Sequence, residues 1–145
     1  MKVQAIKIDI FPQQPNPNPI RDALQALPGS GSVQVTVTTE DGVSGVGEVG
    51  FGRIAGAPQA LGALIEHELK PLVLKQDLGY IRAIHQEMLR ETEYHGSTGL
   101  AMFGIAAVDT ALWDCLGKTL GVPCWQLWGR VNECIRAYAM VGWLN

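Results

Sequence analysis

The side chains able to do acid–base or metal chemistry are few and scattered. The histidines are His67, His85 and His95. Glu66-His67-Glu68 falls on a helical stretch but has no second histidine four residues away, so the H-E-x-x-H zinc pattern is absent. His67 and His85 read as helix-surface residues. His95 precedes Gly96-Ser97-Thr98, a loop expected to cap the longest helix. Asp109 and Asp114 share that helix, but five residues place them about 140° apart, so they make no single metal face. Asp114 is spaced to pair with Lys118, a small structural effect. Asp109 lies near an apolar stripe, where a part-buried carboxylate needs hydrogen-bonding partners.

Gly45-x-Gly47-x-x-Gly50 matches the dinucleotide fingerprint letter for letter. That mechanism needs a helix opening at once on the phosphate. Here the glycines lie in a hairpin's return strand, and the next helix starts only near Ala57. Close approach of the strand backbone to a helix or a ligand is the plainer reading. There is no G-x-S-x-G, no P-loop and no carboxylate triad. The cysteines are Cys115, Cys124 and Cys134, an odd count without a C-x-x-C pair. A disulfide framework or zinc knuckle is not expected, and the compartment reads as reducing and cytoplasmic.

The elements that must position these residues follow from periodicity. Ile6, Ile8 and Ile10 share one phase of a short strand. Pro12, Pro15, Pro17 and Pro19 then exclude helix and central strand. A loop is expected to Gly31, with a helical turn at Arg21–Leu27. Ser32–Thr39 alternates as a half-buried strand, Asp41-Gly42 signals a hairpin, and Val43–Val49 returns beside it. Ala60, Leu61, Leu64, Ile65 and Leu69 repeat at helical spacing, and Pro71 is expected to end that helix. Tyr80, Ile81, Ile84, Met88 and Leu89 mark a second helix. Thr98–Leu120 marks a third, with the stripe Ala101, Ile105, Val108, Leu112 and Leu116, stopped by Gly121 and Pro123. Ile135–Val141 reads as a new strand. Strands first and helices after give an α+β class: a three-stranded antiparallel meander backed by a helical layer.

Hydrophobic residues at 47% and charged residues at 17% suit a folded domain and not a disordered one. A net charge of −3 leaves no electrostatic footprint for nucleic acid. The apolar run Leu100–Val108 is too short to span a bilayer, so neither nucleic acid nor membrane is an expected partner. Trp113, Trp125, Trp128 and Trp143 crowd the C-terminal third. They suit a packed junction or an interface with another domain.

Ile105-Ala106-Ala107-Val108-Asp109-Thr110-Ala111-Leu112-Trp113-Asp114-Cys115-Leu116-Gly117-Lys118 resembles the enolase-superfamily pattern A-x-D-x-A-L-W-D-x-x-G-K. Leu120-Gly121-Val122-Pro123 and Leu127-Trp128-Gly129 continue the likeness, with Trp128 standing where the pattern has leucine. Thr39-Glu40-Asp41-Gly42 and Gly45-Val46-Gly47-Glu48 resemble the family's T-x-D-G-x-x-G-x-G-E hairpin. The chain is thus similar to the N-terminal capping domain of the mandelate racemase/muconate lactonizing enzyme family, followed by the start of a (β/α) barrel.

The resemblance implies residues 1–129 as cap and 130–145 as the first piece of a barrel whose remainder is absent. It implies a racemase, cycloisomerase or acid-sugar dehydratase that removes a proton next to a carboxylate with Mg²⁺ as cofactor. Base and metal ligands would lie in the barrel, so no catalytic or metal residue is expected in this chain. The implied partners are a small carboxylate substrate and further copies of the protein. Two capping loops, Pro12–Ser32 and Gly50–Ala57, would carry specificity. Within them Ile20, Arg21, Phe51 and Arg53 are the candidate substrate-binding residues, with an arginine suited to clamping a carboxylate. Trp143, just past the presumed barrel strand, is a fifth. Solvated loop positions and junction packing are the plainer readings of these five. A non-catalytic binding or dimerisation module built on the cap fold is the competing function.

Overall fold

The computed structural model describes residues 1–21, 26–51, 54–95 and 98–139. Strands β1 (Val3–Arg21), β2 (Ala26–Thr39) and β3 (Ser44–Phe51) form one antiparallel sheet in the order β1-β2-β3. Behind it lie α1 (Ala57–Leu64), a π-helical turn (Ile65–Leu69), α2 (Lys70–Val73), α3 (Ile81–Thr92), α4 (Leu100–Leu120) and α5 (Cys124–Trp128). The expected α+β meander with a helical layer is therefore the observed fold.

The register sorts side chains by face. Ile6 pairs Val37, Ile8 pairs Val35 and Ile10 pairs Val33, so these residues share the face turned to the helices. Val33, Val35 and Val37 are fully buried there with Leu61, Ile65, Leu69, Met88, Ile105 and Leu112. The opposite face carries Lys7, Asp9, Gln34, Thr36 and Glu48 and faces outward. One apolar and one polar face is the usual economy of an antiparallel sheet on a single helical layer. By length and composition α4 could cross a bilayer. Its buried residues, Ala101 through Gly117, are instead spent on the sheet and α1.

Four expectations change. The proline-rich segment is strand, not loop: Gln14 pairs Ser30, Pro15 pairs Gly29, and Ile20 pairs Leu27. β1 is an edge strand, where a proline nitrogen turned away from β2 costs no ladder bond, and the register breaks between Phe11 and Gln14 and between Pro15 and Ile20 fall in this proline-rich stretch. Of the expected turn at 21–27, residues 22–25 lie outside the described residues. Pro71 does not end the first helix, because helix resumes as α2 through Val73. The preceding turn has widened, with Lys70 N–H donating to Ile65 O, and a proline fits where the ordinary ladder has already been interrupted. α4 begins at Leu100 behind Gly99, which is its N-cap, and not at the His95 loop. Finally, residues 135–139 of the expected terminal strand are not in a strand: Ile135 and Tyr138 are 85% and 86% exposed. A strand exists through its ladder, and these residues have no strand beside them among the described residues.

The remaining terminators behave as their chemistry demands. Gly121 is left-handed (φ 69°), and Val122 N–H donates to Gly117 O at 2.9 Å, closing α4. The β2–β3 turn forms at Asp41-Gly42 with Gly42 at φ 82°. Thr39 Oγ1 braces it by accepting from Val43 N–H at 3.2 Å.

Candidate functional site

The outer sheet face near the end of the meander holds the first candidate. Register places Phe11, Ser32 and Gly50 in one row across the three strands, and Asp9, Gln34 and Glu48 in the next. The β1–β2 ribbon extends beyond this row and leaves a hollow of about 640 Å³. Phe11, Pro12, Gln14, Ser30, Ser32 and Glu48 line it. Phe11 is half exposed and forms the apolar part of its floor with Pro12. Two hydroxyls, an amide and a carboxylate around an apolar floor can hydrogen-bond a polyhydroxylated ligand. No base–nucleophile pair is among them, so the hollow can bind and orient but not transform.

The sequence-predicted residues fall around this hollow unevenly. Phe51 ends β3 opposite Gly31, at the hollow's rim. Ile20 and Arg21 sit near the far end of the ribbon, opposite Leu27 and Ala26, and Arg21 is exposed. Five residues of β2 separate the two rows, about 17 Å along the strand. The backbone therefore does not gather Arg21 and Phe51 into one cluster. Arg53 and Trp143 lie outside the described residues. Sequence reasoning missed Gln14, Ser30, Ser32 and Glu48. The signal available was strand phase, since Ser32 alternates with the buried Val33 and Phe11 with Ile10. The prolines concealed that the ribbon was paired.

The carboxylates of α4 are anchors. Asp114 Oδ2 accepts from Val46 N–H at 2.8 Å and from Lys118 Nζ at 2.7 Å, tying α4 to the edge of β3. Burial pushes its carboxyl up, but the Lys118 and Val46 hydrogen bonds outweigh that and hold it below the ordinary carboxylate value. Next to it, burial pushes the Cys115 thiol up, making it a core group and not a nucleophile. Asp109 Oδ1 finds its partner on α3, His85 Nδ1 at 3.1 Å. The expected Asp114–Lys118 pair is thus present, and the partner that Asp109 required is a histidine from the neighbouring helix.

The glycine fingerprint is resolved by packing. A side chain on Gly45 would overlap the backbone of Ala111 and Cys115, and one on Gly47 would overlap the carbonyl of Ala107. β3 rests directly on α4, and the glycines admit the helix, not a phosphate. Among the described residues no three His, Cys, Asp or Glu side chains are grouped as metal ligands.

Known proteins place this geometry. The family model for the mandelate racemase/muconate lactonizing enzyme N-terminal domain matches residues 5–129. Arabinonate dehydratase of Saccharolobus solfataricus is 36% identical over 130 residues, covering 88% of this chain and 35% of that enzyme. A racemase from Streptomyces coelicolor, solved with bound magnesium, superposes with a TM-score of 0.79 at 29% identity, covering 88% of this chain and 35% of that one. L-talarate/galactarate dehydratase from Salmonella typhimurium, liganded with Mg and L-lyxarohydroxamate, gives 0.77 at 25% identity, covering 91% and 34%. The chain thus spans about a third of the length of these relatives. With the family model matched from the first strand through α5, the chain belongs to the mandelate racemase/muconate lactonizing enzyme family, and residues 5–129 are its N-terminal domain.

Proposed function

We propose that this domain caps the substrate of a magnesium-dependent acid-sugar dehydratase or racemase that removes a proton next to a carboxylate. The observation that carries the reading is the hollow. Gln14, Ser30, Ser32 and Glu48 offer hydrogen-bonding groups suited to sugar hydroxyls, over an apolar floor of Phe11 and Pro12. The relatives that share this domain include an arabinonate dehydratase and an L-talarate/galactarate dehydratase. Ile20, Arg21, Phe51, Arg53 and Trp143 remain the proposed substrate-binding residues. An arginine there would grip a carboxylate or hydroxyl of the substrate.

The described side chains do not provide a magnesium site. In this reading the metal, and the base that takes the proton, belong to polypeptide that the relatives carry beyond this domain. Residues 130–145 are then the lead into a barrel. The role of this chain is to exclude water, orient the sugar and discriminate among hydroxyl patterns, which alters binding and kcat/KM together.

The test is an assay of the polypeptide encoded in frame with this domain, including all that follows residue 145. Arabinonate and galactarate with Mg²⁺ serve as substrates, and release of a keto acid is followed. Dehydration by the longer polypeptide, absent from residues 1–145 alone, is the expected result. A longer polypeptide that neither dehydrates nor racemises any acid sugar would sink the reading.

A further inference from the structure

The first strand leaves one edge of the sheet open, and strand phase fixes which backbone groups lie along it. Val46 N–H donates to Asp114 Oδ2 and so points away from β2. Its partner Thr36 therefore turns its own N–H and C=O toward β1, where Lys7 meets them. Alternation then sends the N–H and C=O groups of Ile6, Ile8 and Ile10 off the sheet. Val3 agrees with this phase: its outward groups are taken by Gln76 O and Lys75 N–H, both at 2.9 Å. Among the described residues no such partner meets Ile6, Ile8 or Ile10. The open length is bounded at one end by that contact at Val3. At the other, Pro12 has no N–H to offer and the register breaks after Phe11.

An open edge is a template for another strand, and the residues along this one say which strand. Ile6-Lys7-Ile8-Asp9-Ile10 is complementary to itself when run antiparallel. About a two-fold axis at Ile8, Ile8 faces Ile8 of a second copy, Ile6 faces Ile10, and Lys7 faces Asp9. The isoleucines are then the pairs that exchange both backbone hydrogen bonds. Lys7 and Asp9 of the two copies come within about 5 Å at Cβ on the outer face, where opposite charges stabilise. Lys7 Nζ already lies 2.9 Å from Asp9 Oδ2 within the strand, so two copies close a ring of alternating charges. A slip of the register by two residues would oppose Lys7 to Lys7 or Asp9 to Asp9, so the charges also fix the alignment. On the helical face Ile10 is 40% exposed, and the second copy's Ile6 would cover it.

We propose that two copies of this chain join β1 to β1 about Ile8 and make one continuous sheet. The other edge does not repeat the contact, because the Val46 N–H of β3 is held by α4. The pairing is isologous and closes as a dimer. It gives the further copies expected as partners a defined surface, and it does not rest on the acid-sugar reading.

Sedimentation equilibrium of residues 1–145 at neutral pH and low salt should show a dimer with Kd on the order of micromolar. Lys7→Glu and Asp9→Lys each set like charges opposite one another and should each weaken it about tenfold. An equimolar mixture of the two variants sets an acidic position 7 against a basic position 9, and native Asp9 against native Lys7. It should recover the wild-type affinity, as should the double variant. Both side chains lie on the outer polar face, so the variants should keep the fold, which circular dichroism checks. Amide exchange at Ile6, Ile8 and Ile10 of the wild-type chain reads the contact without any variant and should slow as concentration rises. A chain that stays monomeric at millimolar concentration overturns the proposal. So does a dimer that neither single variant weakens, a mixture no tighter than its components, or exchange at the three isoleucines that ignores concentration.

Discussion

Where β3 meets α4, the backbones themselves are in contact. Gly45 and Gly47 have given up side chains so that Ala107, Ala111 and Cys115 can lie on the strand. Beyond Phe11, the β1–β2 ribbon has hydrogen bonds but little burial, its Pro12, Pro15 and Pro17 exposed and its register twice broken. The first region is made of dry, close contacts in which one added methyl has nowhere to go. The second is a ladder open to water on which side chains can change without disturbing a core. Substitution should therefore be felt strongly in the first region and weakly in the second.

Substitutions at the tight contact should break the contrast most visibly. Gly47→Val would force β3 off α4 and should cost about 3 kcal/mol or leave the chain unfolded. Urea unfolding measures it, and wild-type stability would mean that β3 and α4 have room for a side chain between them. Leu112→Ala leaves a cavity in the same layer and should cost about 2–5 kcal/mol by the same method.

Asp114 sharpens the comparison through pH. Its folded carboxyl is held below the ordinary value of 3.8. Its contribution is therefore present above that value and lost as pH falls through the folded value. Asp114→Asn should cost about 1 kcal/mol at neutral pH. Thermal melts between about pH 6 and pH 3 should show a smaller acid-side loss in the variant than in wild type. An unchanged acid limb would remove Asp114 as the tie between α4 and β3.

The smallest effect belongs to the ribbon. Pro15→Ala should change stability by no more than about 0.5 kcal/mol. Under the proposed capping role, Ser32→Ala in the in-frame polypeptide should alter KM for an acid sugar while leaving the thermal midpoint nearly unchanged. If either variant unfolds the domain, the ribbon is part of the core and the contrast fails.

Local patterning made much of this molecule legible. Alternation at Ser32–Thr39, the Asp41-Gly42 turn, the apolar stripe of α4 and its Gly121 stop each declare themselves within a few residues, because each depends on φ/ψ preference or side-chain period alone. The family could be read from the order of these same motifs. The Asp114–Lys118 pair was visible for the same reason, being one helical turn long. Other features required partners far away in the chain. Proline in β1 is tolerated because the sheet places β1 at an edge, and edge position is a property of the assembled sheet. Pro71 is passed because the helix widens before it. Asp109 meets His85 only once α3 lies along α4, and the hollow at Phe11 exists only once three strands share a row. A sequence states what each residue prefers locally. Which groups share a surface is decided by packing between elements, and at the hollow and along the β1 edge of this domain the tertiary structure alone made that choice.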